Sequence, residues 1–246
     1  MMKQLYTLSA ILFLSLLGFL STNANAQSPD RERMEQEMAS LRDRLKEIEK
    51  QFISVSPEER AAFAVFLQQP GTGIMRLLPR EKYDGFLAMR GGGAYYSFTR
   101  LTNEYGFGSD IGLEQGNLSV GFAGADFGMF TVLGDLALDD VKPELPTVEP
   151  LLNFTTPTKE VDARRVQQQQ ANRQFTINEV AYKNRVPASV DTTYVLRSID
   201  YERSDVLVAF RIVRRDADGS LIAVWKMLKR FPAPHLEREP TVAAGD

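Results

Sequence analysis

Three carboxylates in the middle of the chain are the residues whose types could support acid–base chemistry. Asp110 and Glu114 lie four apart in a predicted strand and point to the same face, with their Cα atoms about 13 Å apart. Asp126 follows a glycine-rich turn and could approach either of them through folding. A glycoside hydrolase needs only two carboxylates, held roughly 5–10 Å apart. Since acids near turns are more often turn formers, these three are the catalytic set of an alternative hypothesis only.

Other catalytic chemistries are limited by two scarce residue types. The chain has no cysteine, which removes disulfides, thiol catalysis, cysteine metal sites and a cysteine-linked lipid anchor. Its single histidine, His235, lies in a polar, proline-broken segment, where an exposed side chain is the simpler interpretation. A serine–histidine–aspartate triad would have to use that residue. We therefore predict no cofactor and favour a protein that is not an enzyme.

Aromatic and acidic residues give candidates for binding. Tyrosines beside glycine-rich loops suit sugars or peptides, so we predict that Tyr95, Tyr96, Arg100 and Tyr105 contact a ligand. In a strand, Tyr95 and Tyr96 face opposite ways, so one of them is expected in the core and the other nearer the surface. Ordinary packing within a sheet is the competing interpretation.

No metal site is predicted as the main hypothesis. The best oxygen cluster, and the alternative metal site, is formed by Asp135, Asp139 and Asp140. Over the chain as a whole the net charge is −3, with an excess of acids in 101–150 and of bases in 158–231. Without a dense basic stripe, nucleic acid is an unsuitable partner.

The segment "RGGGAYYSF", Arg90 to Phe98, resembles a phosphate-binding loop only in its glycines. A phosphate-binding glycine loop is followed by a helix, whose first N–H groups point at the anion. Here a strand follows instead, and no lysine comes after the glycines. We interpret the glycines as positions that need a positive φ or a close backbone approach.

Residues 1–26 have the pattern of a secretory signal peptide. Lys3 is followed by an apolar run from Leu5 to Leu20, and small residues precede a cleavage point after Ala26. The apolar run is short for a membrane span, which needs roughly 20 residues. We expect export to a bacterial periplasm or to the exterior, with no transmembrane segment once the signal is removed.

The elements that follow begin with a helix. Its apolar residues step by four and three, which is the spacing of a short coiled-coil seam. They are Met34, Met38, Leu41, Leu45, Ile48 and Phe52. Ser56 and Glu59 form a predicted capping box for a second helix. The first helix, over residues 30–52, either associates with another chain or folds back on the second helix, so that Phe52 and Phe63 share a core.

Strands are predicted after residue 74. Alternation and turn signals place them at Ile74–Leu78, Ala94–Leu101, Asp110–Glu114, Leu118–Phe122, Met129–Leu133, Thr193–Tyr201, Val206–Arg215 and Leu221–Phe231. Val206–Val213 is apolar on both faces, as expected of a strand covered on both sides, and Trp225 is predicted to lie in the core. The prolines between Lys142 and Pro150 indicate a stiff connector without a core pattern.

The fold class that results is α+β, with a helical hairpin or short coiled coil followed by a mainly antiparallel β domain of one or two sheets. The predicted segments are a signal peptide (1–26), the helices (27–69), a glycine-rich β region (74–141), a connector rich in proline and glutamine (142–174), a β-meander (175–231) and a flexible tail (232–246).

Two functions from different classes are compatible with this organisation. The first is an exported binding or scaffold protein that is not catalytic, with a helix that mediates self-association or docks a protein partner, and with a β domain that binds a small molecule or glycan. The alternative is a hydrolase that needs no histidine and acts on cell-envelope glycans through Asp110, Glu114 and Asp126.

Overall fold

A computed structural model describes residues 29–106, 108–172, 175–177 and 179–237. The predicted signal peptide, Phe107 and the end of the tail lie outside these ranges. The chain divides into two compact units, one up to Leu45 and one from Lys46 onward. Within the described residues, the first unit is helical and the second contains all the strands.

The first predicted helix is a single element, whereas the second is divided at Phe63. Helix α1 runs from Pro29 to Ile53 as a single element. Two short helices follow, α2 at Pro57–Ala62 and α3 at Ala64–Leu67. The capping box at the start of α2 is confirmed, because the Glu59 N–H donates to Ser56 Oγ (3.2 Å) and the Ser56 N–H donates to Glu59 Oε2 (2.7 Å).

Eleven strands form three antiparallel sheets within the described residues. The strands are β1 (Thr72–Leu77), β2 (Tyr95–Tyr96), β3 (Ile111–Glu114), β4 (Asn117–Ser119), β5 (Phe127–Gly134), β6 (Phe175–Ile177), β7 (Val180–Tyr182), β8 (Arg185–Pro187), β9 (Thr192–Asp200), β10 (Ser204–Arg215) and β11 (Leu221–Phe231). One sheet has the order β1-β11-β10-β9-β5, the second has the order β2-β3-β4-β8, and β6 pairs with β7. The predicted meander is the β9-β10-β11 centre of the first sheet.

The helices between and after the strands are short, with one exception. They are α4 (Arg80–Tyr83), a 3₁₀ turn (Leu138–Asp140), α5 (Glu149–Leu152) and the longer α6 (Glu160–Asn172). The α+β class and the antiparallel sheets are thus confirmed.

The five-stranded sheet is buried on both faces. Phe210 and Trp225 on one face pack against Ile111 and Leu118 of the four-stranded sheet. On the opposite face, which is the outer face of this sheet, Leu207 and Val224 belong to a separate apolar cluster. This arrangement confirms that β10 is covered on both sides and that Trp225 is a core residue, 4% exposed.

The predicted strand Ala94–Leu101 is much shorter than expected. Only Tyr95–Tyr96 pair with β3. The chain then turns, with Leu101 at φ 55° and its N–H donating to Ser97 O (2.8 Å). The N–H of Phe98 donates to Asp110 Oδ2 (2.8 Å) rather than to a neighbouring strand, so the ladder stops there.

The connector after Lys142 has core residues that the sequence pattern did not indicate. Val148 and Leu151 are 0% and 1% exposed and belong to the cluster on the outer face of the five-stranded sheet. The three prolines interrupt any regular period, so periodicity could not reveal these two positions.

Candidate functional site

The apolar seam of α1 is exposed along its whole length. Its six side chains are between 44% and 59% accessible to solvent: Met34, Met38, Leu41, Leu45, Ile48 and Phe52. A surface helix normally turns such a stripe toward a core. Scattered exposed apolar residues need no explanation, but a continuous stripe indicates an interaction surface.

The last turns of α1 are fixed by a buried carboxylate. Glu49 is 5% exposed and accepts the backbone N–H groups of Ala88 (2.5 Å) and Met89 (3.0 Å). Ile53 packs with Leu78 and Tyr83 in a small apolar cluster. Sequence reasoning missed Glu49, because a glutamate on the polar side of a helix is ordinarily solvated.

The hairpin alternative for α1 is not confirmed. The ring of Phe52 contacts Tyr83, with centroids 5.6 Å apart, and Phe63 packs against the cluster on the outer face of the five-stranded sheet. The two phenylalanines therefore do not belong to one cluster as the hairpin prediction required.

The glycines of "RGGG" serve backbone geometry. Gly91, Gly92 and Gly93 have φ values of 77°, 57° and 73°. A Cβ on Gly92 would lie 2.4 Å from the backbone of Tyr83 and Asp84. Positive φ and close approach, the two reasons predicted for these glycines, are both confirmed.

The four predicted ligand residues lie in different surroundings. Tyr95 and Tyr105 are neighbours, with ring centroids 4.6 Å apart. Tyr96 lies in the core between the sheets, and Arg100 is exposed beside Gly108. Tyr95 and Tyr96 are 2% and 6% exposed, so the expectation that one of them lies nearer the surface is wrong. Their role in ligand binding stays a prediction.

Tyr95 is held by a polar triplet at the edge of the four-stranded sheet. Its hydroxyl donates to Glu114 Oε1 (2.6 Å), and Arg80 Nη1 donates to the same oxygen (2.7 Å). Partial burial acts to raise the pKa of Glu114, but the hydrogen bonds from Tyr95 and Arg80 outweigh it and bring that pKa below its ordinary value. Glu114 is thus ionised and already occupied by two donors.

Two of the three candidate catalytic acids share a neighbour. Burial raises the pKa of Asp110 to about 7, and the negative charge of Asp200 adds to the shift. Burial also raises the pKa of Asp126 to about 6, again with a contribution from Asp200. Asp200 was not predicted, because its strand position gave no sign that loops would bring other acids to it. Glu114 is not part of this group.

Asp126 lines a cavity. The cavity measures about 260 Å³ and has side-chain amides on its wall, from Gln167, Gln168 and Asn184. Gln167 Nε2 donates to Asp126 O (2.9 Å), which ties α6 to this turn. Asp110 is 0% exposed, so a substrate does not reach it in this conformation.

The metal candidates are dispersed. Asp135 pairs with Arg211 (2.6 Å), whereas Asp139 and Asp140 are exposed on the 3₁₀ turn. Across the described ranges, no group of three histidine, cysteine or acidic side chains could hold a metal ion. His235 is exposed, with Nδ1 2.9 Å from the Glu202 carboxylate.

Sequence reasoning also missed a buried ion pair. Arg197 and Asp205 are each 3% exposed, and the guanidinium further donates to Leu151 O (2.7 Å) and Phe154 O (2.7 Å). The pair fixes the connector to the sheet and has no open position for a ligand.

In the part of the chain that the structure describes, no helix is both long and apolar enough to cross a membrane. Comparison of the chain with protein-family models, with curated proteins and with solved structures finds no match.

Proposed function

We propose that this chain is an exported binding or scaffold protein without catalytic activity, and that α1 is its docking element. The observation that carries the proposal is the seam, whose six apolar side chains are all at least 44% exposed. Covering them with a partner helix removes apolar surface from water, which is the main favourable term in association.

Export rests on the pattern of residues 1–26 and on the absence of cysteine. The test is recovery of the protein from the periplasm or medium of an expressing bacterium, followed by N-terminal sequencing. A first residue of Gln27 is expected. Protein that stays inside the cell and keeps residues 1–26 would contradict export.

Docking is tested with single introduced cysteines. Each is then the only thiol in the protein, because the chain has no cysteine of its own. Leu41→Cys places a thiol on the seam, and Ser40→Cys places one on the outer side of the same helix turn; both positions are exposed in the single chain. In exporting cells we expect a maleimide to label position 41 at least several times more slowly than position 40. Equal rates at the two positions would rule out a partner on the seam.

One observation favours the alternative, a glycan hydrolase. Asp126 combines a pKa raised to about 6 by burial with a place in a cavity lined by amides, and amides are suitable partners for sugar hydroxyls. The test is an assay of the mature chain on cell-envelope glycans, repeated with Asp126→Asn, Asp110→Asn and Glu114→Gln. Turnover by the wild type that is lost in Asp126→Asn but kept in the other two variants would establish the enzyme. Turnover that all three variants keep would exclude this site.

A further inference from the structure

We propose that the partner on the seam is a second copy of this chain, and that the two α1 helices pair in parallel and in register. This inference rests on the proposed docking function and adds the identity and orientation of the partner. It is carried by two properties of the three ways in which such helices can pair: the charges that meet beside the seam and the number of apolar layers that are covered.

In the parallel arrangement each seam residue faces its own copy, so all six apolar layers form. The residues beside the seam then meet across the interface, and Glu37 of one chain lies opposite Arg42 of the other, twice by symmetry. Both side chains are available, because neither forms an ion pair among the described residues. The arrangement thus gains two interhelical ion pairs in addition to the buried layers.

The parallel arrangement also brings Asp30 near Glu35 of the other chain. These acids are already paired within their own helix, since Arg33 Nη2 lies 3.3 Å from Asp30 and Arg31 Nε lies 3.1 Å from Glu35. Their mutual repulsion is correspondingly small. Glu35 is next to the Met34 layer, so this repulsion acts at the first layer of the seam, where Arg31 also faces its own copy.

An antiparallel pairing that covers the whole seam is repulsive. It sets Met34 against Phe52 of the other chain and Met38 against Ile48. Arg42 then faces Arg42, and Arg44 faces Arg44, while Glu35 faces the buried Glu49. Like charges that face each other across a coiled coil suppress that pairing.

A second antiparallel register has favourable charges but a shorter core. It pairs Glu37 with Arg44 and Glu35 with Arg42, and it sets Met34 against Leu45. Ile48 then faces Arg31, and Phe52 has no counterpart. Each exposed ion pair alters an association constant only about twofold, whereas covering a half-exposed isoleucine or phenylalanine alters it about fivefold. Burial therefore decides for the parallel register.

The stoichiometry is tested by sedimentation of the purified chain from residue 27 onward over a range of concentrations. A dimer is expected, and Leu41→Glu should abolish it while Ser40→Glu leaves it intact; circular dichroism checks that both variants keep their helix. A wild-type monomer at all concentrations, a larger oligomer, or a dimer that Leu41→Glu does not affect would overturn the proposal.

The orientation is tested by disulfide formation under mild oxidation. Parallel pairing predicts that Met34→Cys chains cross-link to each other. The short antiparallel register instead predicts cross-linking of Met34→Cys to Leu45→Cys in a mixture, and the long one predicts Met34→Cys to Phe52→Cys. Cross-linking in either mixture without self-linking at position 34 would overturn the parallel assignment.

The charges are tested by reversal. Arg42→Glu places two acidic pairs across the parallel interface and should weaken association about 10-fold. Adding Glu37→Lys restores opposite charges and should recover most of the loss, whereas the outward-facing control Asp43→Lys should change little. Failure of the double variant to recover would count against this register.

These results separate the inference from the docking function on which it rests. A purified monomer whose position 41 is nonetheless protected from maleimide in cells would refute self-association and leave docking of another protein in place. Equal labelling in cells together with a purified monomer would refute both.

Discussion

Arg197 and Asp205 form a two-pronged ion pair inside the protein, with Nε 3.0 Å from Oδ1 and Nη2 2.8 Å from Oδ2. They lie on neighbouring strands, β9 and β10. The same guanidinium is 3.9 Å from the centroid of the Phe231 ring. Removal of this side chain leaves the buried Asp205 carboxylate with only the hydrogen bond from Thr156 Oγ1 (3.1 Å), and it takes away the hydrogen bonds that Arg197 donates to Leu151 O and Phe154 O.

Arg197→Met is therefore expected to lower the free energy of unfolding by about 3–5 kcal/mol, the usual cost of breaking a buried ion pair on one side. Urea denaturation of the purified chain measures it. The matched control is Asp135→Asn, which removes an 83% exposed partner of Arg211 and should cost less than about 1 kcal/mol. Equal losses of unfolding free energy in the two variants would show that the buried pair contributes no more to stability than the exposed pair does.

Asp110 should make the protein less stable as the pH rises. Its pKa is raised to about 7 in the folded chain, mainly by burial, against about 3.9 when unfolded. Between these values the folded state holds a proton that the unfolded state has lost, so raising the pH from about 4 to 7 favours unfolding. The stabilisation is complete below pH 4 and is lost above pH 7.

Asp110→Asn removes this proton and keeps an oxygen that can accept the Phe98 N–H. Urea denaturation at pH 5 and at pH 8 gives the free energy of unfolding of the variant minus that of the wild type. We expect this difference to be more positive at pH 8 than at pH 5. Glu114→Gln is the control, because the pKa of Glu114 is lowered and the group stays ionised throughout that range. A stability difference between Asp110→Asn and the wild type that is the same at both pH values would contradict the raised pKa.

Local signals predicted a large part of the fold. The capping box at Ser56 and the β9-β10-β11 meander each depend on residues close in sequence, and the structure contains both. The seam of α1 was also readable from spacing alone. The exposure of these residues could not be predicted, because spacing shows which residues share a face but not what covers that face.

Contacts between distant segments could not be predicted. Glu49 is buried by a loop about forty residues away. The charge of Asp200 helps to raise the pKa of Asp110 and of Asp126, both of which are far from it in sequence. Val148 lies in a proline-rich stretch without a period. Each depends on the tertiary arrangement, which composition and periodicity do not encode.

Gly92 should be the least replaceable of three glycines that differ in their surroundings. Gly92→Ala places a methyl group 2.4 Å from backbone atoms at a φ of 57°, so both strain and a clash act. Gly116→Ala, at φ 73° in open space, has strain alone and should cost about 1 kcal/mol. Gly85 has neither a positive φ nor a close neighbour, and Gly85→Ala should be neutral or slightly stabilising.

Thermal or urea denaturation of these three variants separates the two effects, since the difference between Gly92→Ala and Gly116→Ala reports the clash. We expect Gly92→Ala to cost at least about 2 kcal/mol, or to leave no soluble folded protein. A Gly92→Ala variant as stable as Gly116→Ala would show that the loop moves away at little cost, and would remove close approach as the reason for this glycine.

Glu49 should hold the 88–89 backbone to the end of α1. In Glu49→Gln, one amide oxygen can still accept an N–H, but the NH₂ group then faces a second donor, so one backbone N–H is left unpaired. We expect hydrogen exchange at Ala88 and Met89 to accelerate and the free energy of unfolding to fall by about 1.5–3 kcal/mol, the range for hydrogen bonds to a charged group. Glu47→Gln, an exposed neighbour on the same helix, should change neither quantity.

Glu49 also lies beside the seam. Faster exchange in Glu49→Gln without any change in the sedimentation of the dimer would show that the contact of Glu49 with the 88–89 backbone and the docking surface act independently. Unchanged exchange at both amides would mean that the carboxylate does not hold this loop.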